Sequence, residues 1–228
     1  MFFSKNFMIE KTFNKLKTIN NVIERRSDYD MKPQRDKVNI CVIDDEGFPL
    51  SDNLKKLGYT HIDIKYNFVD ISEYSNYDII LCDLDGVGKV IDSKKQGLAI
   101  VEQIKINYPS KKIFVYSGKS LEGYGQLPEE VLYIPKHSNP NEISQILDSN
   151  CSYLWDPIEA WNYIYERLID AKVSSKVIAV IEDRFAESII EKDNLFVKRK
   201  IKFKEVKDIA ELIGFIIKIV SIIVNGVV

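Results

Sequence analysis

The chain has 228 residues, 45% hydrophobic and 29% charged, and a formal net charge of −2. That length allows one or two domains, with a core hiding about 70% of the unfolded surface, and the near-balanced charge excludes a global basic field for nucleic acid. Three cysteines, Cys41, Cys82 and Cys151, without a CxxC pair or a His-rich cluster, exclude a disulfide framework and read as reduced thiols of a cytoplasmic protein.

In chain order, MFFSKNFMIEK lacks a continuous apolar h-region, so no signal peptide is expected. Ile9, Phe13, Leu16 and Ile23 recur at helical spacing and predict a helix over residues 5–26. The polar, proline-containing stretch RSDYDMKPQRDK follows as a linker, closing a first segment at residues 1–36. Short apolar runs then alternate with helix-like segments. VNICVI (38–43), HIDIKY (61–66), YDIILC (77–82), KKIFVYS (111–117) and VLYIP (131–135) predict strands. FPLSDNLKKLG, DISEYS (70–75), QGLAIVEQIKINYP (96–109) and NPNEISQILD (139–148) predict helices. Alternation of this type predicts an α/β domain over residues 37–150: a flavodoxin-like, doubly wound, five-stranded parallel sheet.

Beyond Asn150 the pattern is helical only, so residues 151–228 form a separate all-α region. Asp156 and Pro157 start one helix, with Ile158, Trp161, Ile164 and Leu168 on its apolar face. SSKVIAVIEDRFAESIIEK (174–192) is a second, with Glu182 and Asp183 placed on a solvated flank.

In a doubly wound sheet, ligands bind beyond the carboxyl ends of the strands. The predicted strands end in Asp44-Asp45, Asp83, Ser117 and Pro135-Lys136. Three converging carboxylates repel unless a cation neutralises them, and an oxygen-only donor set suits Mg²⁺. A carboxylate held beside Mg²⁺ can attack phosphorus, and a lysine can pair with the phosphoryl charge.

The stretches VNICVIDDEG, YDIILCDLDGVG, KIFVYSG and LYIPKHS resemble the receiver domain of bacterial response regulators. The resemblance covers about Val38 to Leu147. It implies that Asp44 and Asp45 hold Mg²⁺ and that Asp83 accepts the phosphoryl group. By the same resemblance the Asp85 carbonyl contacts the metal, and Ser117 and Tyr133 are the switch residues. Lys136 would pair with the phosphate. A histidine kinase or phosphotransfer protein is the implied partner. Three features depart from the family pattern: His137 stands where proline usually follows the lysine, the loop from Asp83 to Gly97 is long, and KSLEGYGQLPEE is short for the fourth helix. They keep open a second reading, a receiver fold used as a protein-interaction module without phosphotransfer.

DLDGV also resembles the first motif of haloacid dehalogenase-like phosphatases, with Asp83 as nucleophile, Asp85 as general acid and Glu182-Asp183 as the later acid pair. That family's nucleophile strand opens the fold, whereas two strands precede this one, and Asp44-Asp45 would have no role.

The helical region carries no DNA-binding signature of the helix-turn-helix or winged type. VKRKIKFK, with Lys198, Arg199, Lys200, Lys202 and Lys204, reads as a solvated charged run. In the last segment Lys207, Glu211, Gly214, Lys218, Ser221 and Asn225 form one narrow polar stripe. So apolar a helix needs burial in a bundle, a homodimer or a helical partner. Glu211 and Lys218 leave too short a run to span a bilayer, while the basic residues upstream keep lipid-surface contact open.

Overall fold

A computed structural model describes residues 16–28, 32–68, 70–118, 126–198 and 209–226. Two compact units emerge: Gln34–Cys151, and the segments on either side of it.

Within Gln34–Cys151, strands Asn39–Ile43 (β1), His61–Lys65 (β2), Ile79–Cys82 (β3), Lys112–Ser117 (β4) and Leu132–Pro135 (β5) make one parallel sheet ordered β2-β1-β3-β4-β5. β3 is buried throughout and β1 nearly so, because both are covered on both faces; this is why they read as unbroken apolar runs. The edge strand β2 buries Ile62 and exposes His61 and Asp63, which is the alternation its sequence shows.

Ile19–Ile23 (α1) lies in the flanking unit; Ser51–Lys56 (α2), Gly97–Asn107 (α3) and Pro140–Asn150 (α4) belong to the sheet unit. α4 starts with a complete capping box. Asn139 Oδ1 accepts from the N–H groups of Asn141 and Glu142 at 3.0 and 3.1 Å, and Glu142 returns the bond to Asn139 N–H at 2.9 Å. DISEYS is not an α-helix: Ile71–Tyr74 forms a 3-10 turn, opened by Asp70 accepting from Ser72 N–H. The 3-10 form is the tighter helix commonly used in such short connecting pieces.

One polar cluster ties this unit's two ends together. Asp148 on α4 accepts from both the Nε and a terminal nitrogen of Arg35 and, at 2.8 Å, from Tyr59 Oη. A further Arg35 nitrogen donates to Leu57 O at 2.7 Å. Asp148→Ala would leave a half-buried guanidinium and a buried phenol without their acceptor. An unfolding midpoint in urea should report a loss of about 1–3 kcal/mol.

The other unit contains α1, Pro157–Asp170 (α5), Ser175–Ile190 (α6), Leu195–Lys198 (α7) and Ala210–Gly226 (α8). Its core takes Val22, Trp161, Ile164, Leu168, Ile181, Phe185, Ile216 and Ile223. Tyr153 and Tyr163 stack at 4.0 Å, with the Arg167 guanidinium 3.3 Å from the Tyr163 ring centre.

Three expectations change here. The helix predicted over 5–26 begins at Ile19 among the described residues; residues 1–15 lie outside them. Glu182 and Asp183 are half-buried and accept from the N–H groups of Ile19 and Lys17 at 3.0 and 2.7 Å, so they tie down the start of α1 and do not face water freely. Ser221, in the polar stripe of α8, accepts from Asn194 Nδ2 at 2.6 Å, and the same group reaches Ile217 O at 2.8 Å. The stripe is thus partly an internal contact. Lys207 and most of VKRKIKFK lie outside the described residues. Among the described residues, no helix is long and apolar enough to cross a membrane.

Candidate functional site

The strand order reverses between β1 and β3, and the chain leaves both strands through acidic residues. Backbone ladder bonds carry these residues past the strand ends. Asp44 N–H donates to Lys65 O at 3.0 Å, and Asp83 N–H to Ile43 O at 2.8 Å. Asp44 and Asp83 are buried and Asp45 is exposed, yet one oxygen from each lies within 4.8 Å of the others. Lys136, one residue beyond β5, reaches into this cluster. Its Nζ is 2.8 Å from Asp44 Oδ2 and 2.6 Å from Asp83 Oδ2.

The second oxygens of Asp44 and Asp83 accept from backbone N–H groups. Asp83 Oδ1 accepts from Leu84 N–H at 2.7 Å and more weakly from Asp85 N–H at 3.4 Å. Asp44 Oδ1 accepts from Glu46 N–H at 2.9 Å. Burial pushes the Asp83 carboxyl above the usual aspartate range, and the hydrogen bond and charge of Lys136 oppose this without cancelling it. Burial alone would lower Lys136; the hydrogen bonds and charges of Asp44 and Asp83 outweigh it and hold the ammonium well above the usual lysine range. Three carboxylates and one lysine carry a formal charge of −2, and the carboxylate donors are all oxygen. Asp44, Asp45 and Asp83 are thus carboxylates that could together hold a hard divalent cation.

Ser117 ends β4 and is buried; its carbonyl accepts from Lys136 N–H at 3.0 Å and from Tyr133 Oη at 3.1 Å. Asp85 is half-buried and is not part of the three-carboxylate cluster. His137 is exposed, and the turn beyond β5 is closed instead by Ser138 N–H on Pro135 O at 3.0 Å, with every described peptide bond trans. Burial pushes all three cysteine thiols up, Cys41 to about 12, which makes them inert apolar filling.

The sequence reading missed several contributors. Tyr116, buried on β4, meets Phe48 edge-to-face at 5.3 Å and places its ring 5.8 Å from Lys136 Nζ. Phe48 follows Asp44-Asp45 by only a few residues, so this pair links the acidic loop to the strand beneath the lysine. Gly86, Gln96 and Gly97 line the back of the cluster. An aromatic directly before Ser117 was a usable signal for Tyr116; no local pattern pointed to Gln96.

Part of KSLEGYGQLPEE, residues 119–125, lies outside the described residues.

No family model matches the chain, and no curated protein does. Solved structures do match. The BeF3-activated DrrB receiver domain is 16% identical, with 50% of this chain covering 97% of that one at a TM-score of 0.37. A Burkholderia pseudomallei response regulator, solved with a phosphorylated aspartic acid, a calcium ion and citrate, is 17% identical over 73% of this chain and 99% of that one, with a TM-score of 0.38. RcsB of Salmonella enterica serovar Typhimurium, bound to promoter rprA with phosphomimetic BeF3⁻, is 15% identical over 78% and 98%, with a TM-score of 0.38. These likenesses concern fold. The strand order and parallel pairing of Gln34–Cys151 independently give it the flavodoxin-like topology.

Proposed function

We propose that the chain is a receiver-like phosphorelay protein in which Asp83 accepts a phosphoryl group and the helical unit answers by changing its self-association or partner binding. The observation that carries this reading is Lys136 bridging Asp44 and Asp83 at the switch in strand order, with Asp45 completing the cluster. An Asp83 oxygen forms the new bond to phosphorus. The bond from phosphorus to the donor breaks, and its electron pair leaves with the donor group, as acetate does from acetyl phosphate. Mg²⁺ bound by the three carboxylates would supply positive charge for the phosphoryl oxygens. Lys136 then exchanges its carboxylate contacts for a phosphoryl oxygen, and the Ser117 hydroxyl offers a donor to another. The added charge of about −1.5 to −2 supplies the pull for that rearrangement. The Asp85 carbonyl would help to hold the metal, and Tyr133, whose hydroxyl donates to the Ser117 carbonyl, would report movement at Ser117.

Intact-mass measurement after acetyl phosphate and Mg²⁺ tests this directly. Wild type should gain one phosphoryl group and Asp83→Asn none. An unmodified wild type overturns phosphotransfer and favours a protein-interaction module built on the same fold. Turnover of a phosphomonoester dependent on Asp83 and Asp85 would favour the phosphatase; the engagement of Glu182 and Asp183 with the start of α1 speaks against it. Sedimentation velocity with and without Mg²⁺ and beryllium fluoride reads the output. Because RcsB is bound to promoter DNA in its structure, duplex DNA belongs beside a histidine kinase and a second copy among the partners tested.

A further inference from the structure

The loop between β3 and α3 is the feature that the phosphoacceptor reading leaves without a role. Its conformation is held by hydrogen bonds within it and to the segment after β2. Gly88 N–H donates to Asn67 Oδ1 at 3.0 Å, and Asp92 O accepts from Gln96 N–H at 2.8 Å. Gln96 is the unusual residue. Its backbone is left-handed, with φ 50° and ψ −122°, a region that residues with side chains seldom occupy. Although it precedes the first residue of α3, its side chain makes no cap to that helix. The amide oxygen instead accepts from Gly86 N–H at 3.0 Å, ten residues back.

Both residues that Gln96 controls touch the acidic cluster. A Cβ on Gly86 would lie 2.1–2.2 Å from the atoms of the Asp45 carboxylate, so that carboxylate rests on the Gly86 backbone. A Cβ on Gly97, the next residue, would lie 1.8 Å from the Asp83 carbonyl oxygen, and Gly97 N–H donates to Leu84 O at 3.1 Å. The side chain of Gln96 therefore sets the support under Asp45, while its backbone turn sets the support behind Asp83. A strained conformation retained at such a point marks a geometric demand that the surrounding structure meets.

We infer that Gln96 is a positioning residue that fixes the spacing of Asp45 and Asp83 for a divalent cation. The inference rests on the receiver-like reading of the cluster and adds a residue to it. A residue that only closes a loop would affect stability; a positioning residue affects cation affinity separately from stability. Gln96→Gly separates the two, because glycine accepts the left-handed backbone while losing the amide oxygen. Gln96→Ala loses the oxygen and keeps the strain.

The test uses the full chain, with Mg²⁺ alone as probe in calorimetry and a urea midpoint for each variant. Both variants should bind Mg²⁺ about tenfold more weakly, the scale on which outer supports of metal ligands act, and Gln96→Gly should unfold at or above the wild-type midpoint. Unchanged Mg²⁺ affinity in Gln96→Gly overturns the inference and leaves the acidic site standing. Weakened binding that only follows a fall in midpoint in both variants overturns it too. Failure of the wild type to bind Mg²⁺ overturns this inference together with the reading of the cluster.

Discussion

Gly97→Ala should lower the stability of the sheet unit by about 3 kcal/mol, the upper end for overpacking, and should remove acetyl phosphate labelling of Asp83. The added methyl would need to sit 1.8 Å from the Asp83 carbonyl oxygen and 2.9 Å from Leu84 Cα. These are backbone atoms, so no rotamer change relieves the overlap; either α3 moves away from β3, or the peptide after Asp83 rotates and takes the carboxylate with it. Gly214→Ala is the matched control. Nothing lies within 4 Å of a Cβ at that exposed position on α8, and alanine there should stabilise by about 0.5–1 kcal/mol through helix propensity. Urea unfolding of both variants beside the phosphorylation assay reads the contrast. Equal, small effects from the two substitutions would refute the close packing behind Asp83.

Lys136→Met should destabilise the protein by about 3 kcal/mol at pH 7 in the absence of divalent cations. Removing one partner of a buried ion pair leaves an uncompensated charge at a cost of about 3–5 kcal/mol; the lower end applies because the lysine side chain is 24% exposed. The deficit is pH-dependent, with a defined sign. Burial already holds the Asp83 carboxyl above its ordinary range, and loss of the lysine removes what opposes that rise. The folded variant therefore binds the Asp83 proton more tightly than the unfolded chain does. Its deficit is full above the raised value, shrinks as pH falls through it, and is least below about pH 4, where the unfolded carboxylate is protonated too. Added Mg²⁺ should restore part of the lost stability at pH 7, by binding the folded state alone. Midpoints at pH 7 and pH 5, each with and without Mg²⁺, measure all three effects. A deficit that is independent of both pH and Mg²⁺ would mean that the lysine contributes packing and not charge.

The strands and their terminal residues were legible because a buried parallel strand needs an unbroken apolar run and a parallel sheet delivers every strand's carboxyl end to one rim. Asp44, Asp45, Asp83, Ser117 and Lys136 could be assembled from that rule alone. Asp156-Pro157 was legible for a different reason, since a cap is chemistry between residues two or three apart. What escaped depends on distance across the fold. Gly86 and Gly97 look like ordinary loop glycines until Asp45 and the Asp83 carbonyl are seen against them. Glu182 and Asp183 look solvated until the start of α1 places its N–H groups beside them. Periodicity along one helix carries no information about the chain end that a partner element brings to it.

The contact of Arg35 with Asp148 joins residues at the two ends of a unit that interrupts the helical one in sequence. From the standpoint of the helices, everything from Gln34 to Cys151 is a single inserted loop. Were it unstructured, closing a loop of that length would cost the helices about 4 kcal/mol of chain entropy. Folded and pinned at its ends, it acts as a short tether and removes most of that cost. Loosening the pin would thus tax the helical assembly through chain statistics alone, without any surface changing shape. For the helices, the state of that pin is equivalent to the effective length of a linker.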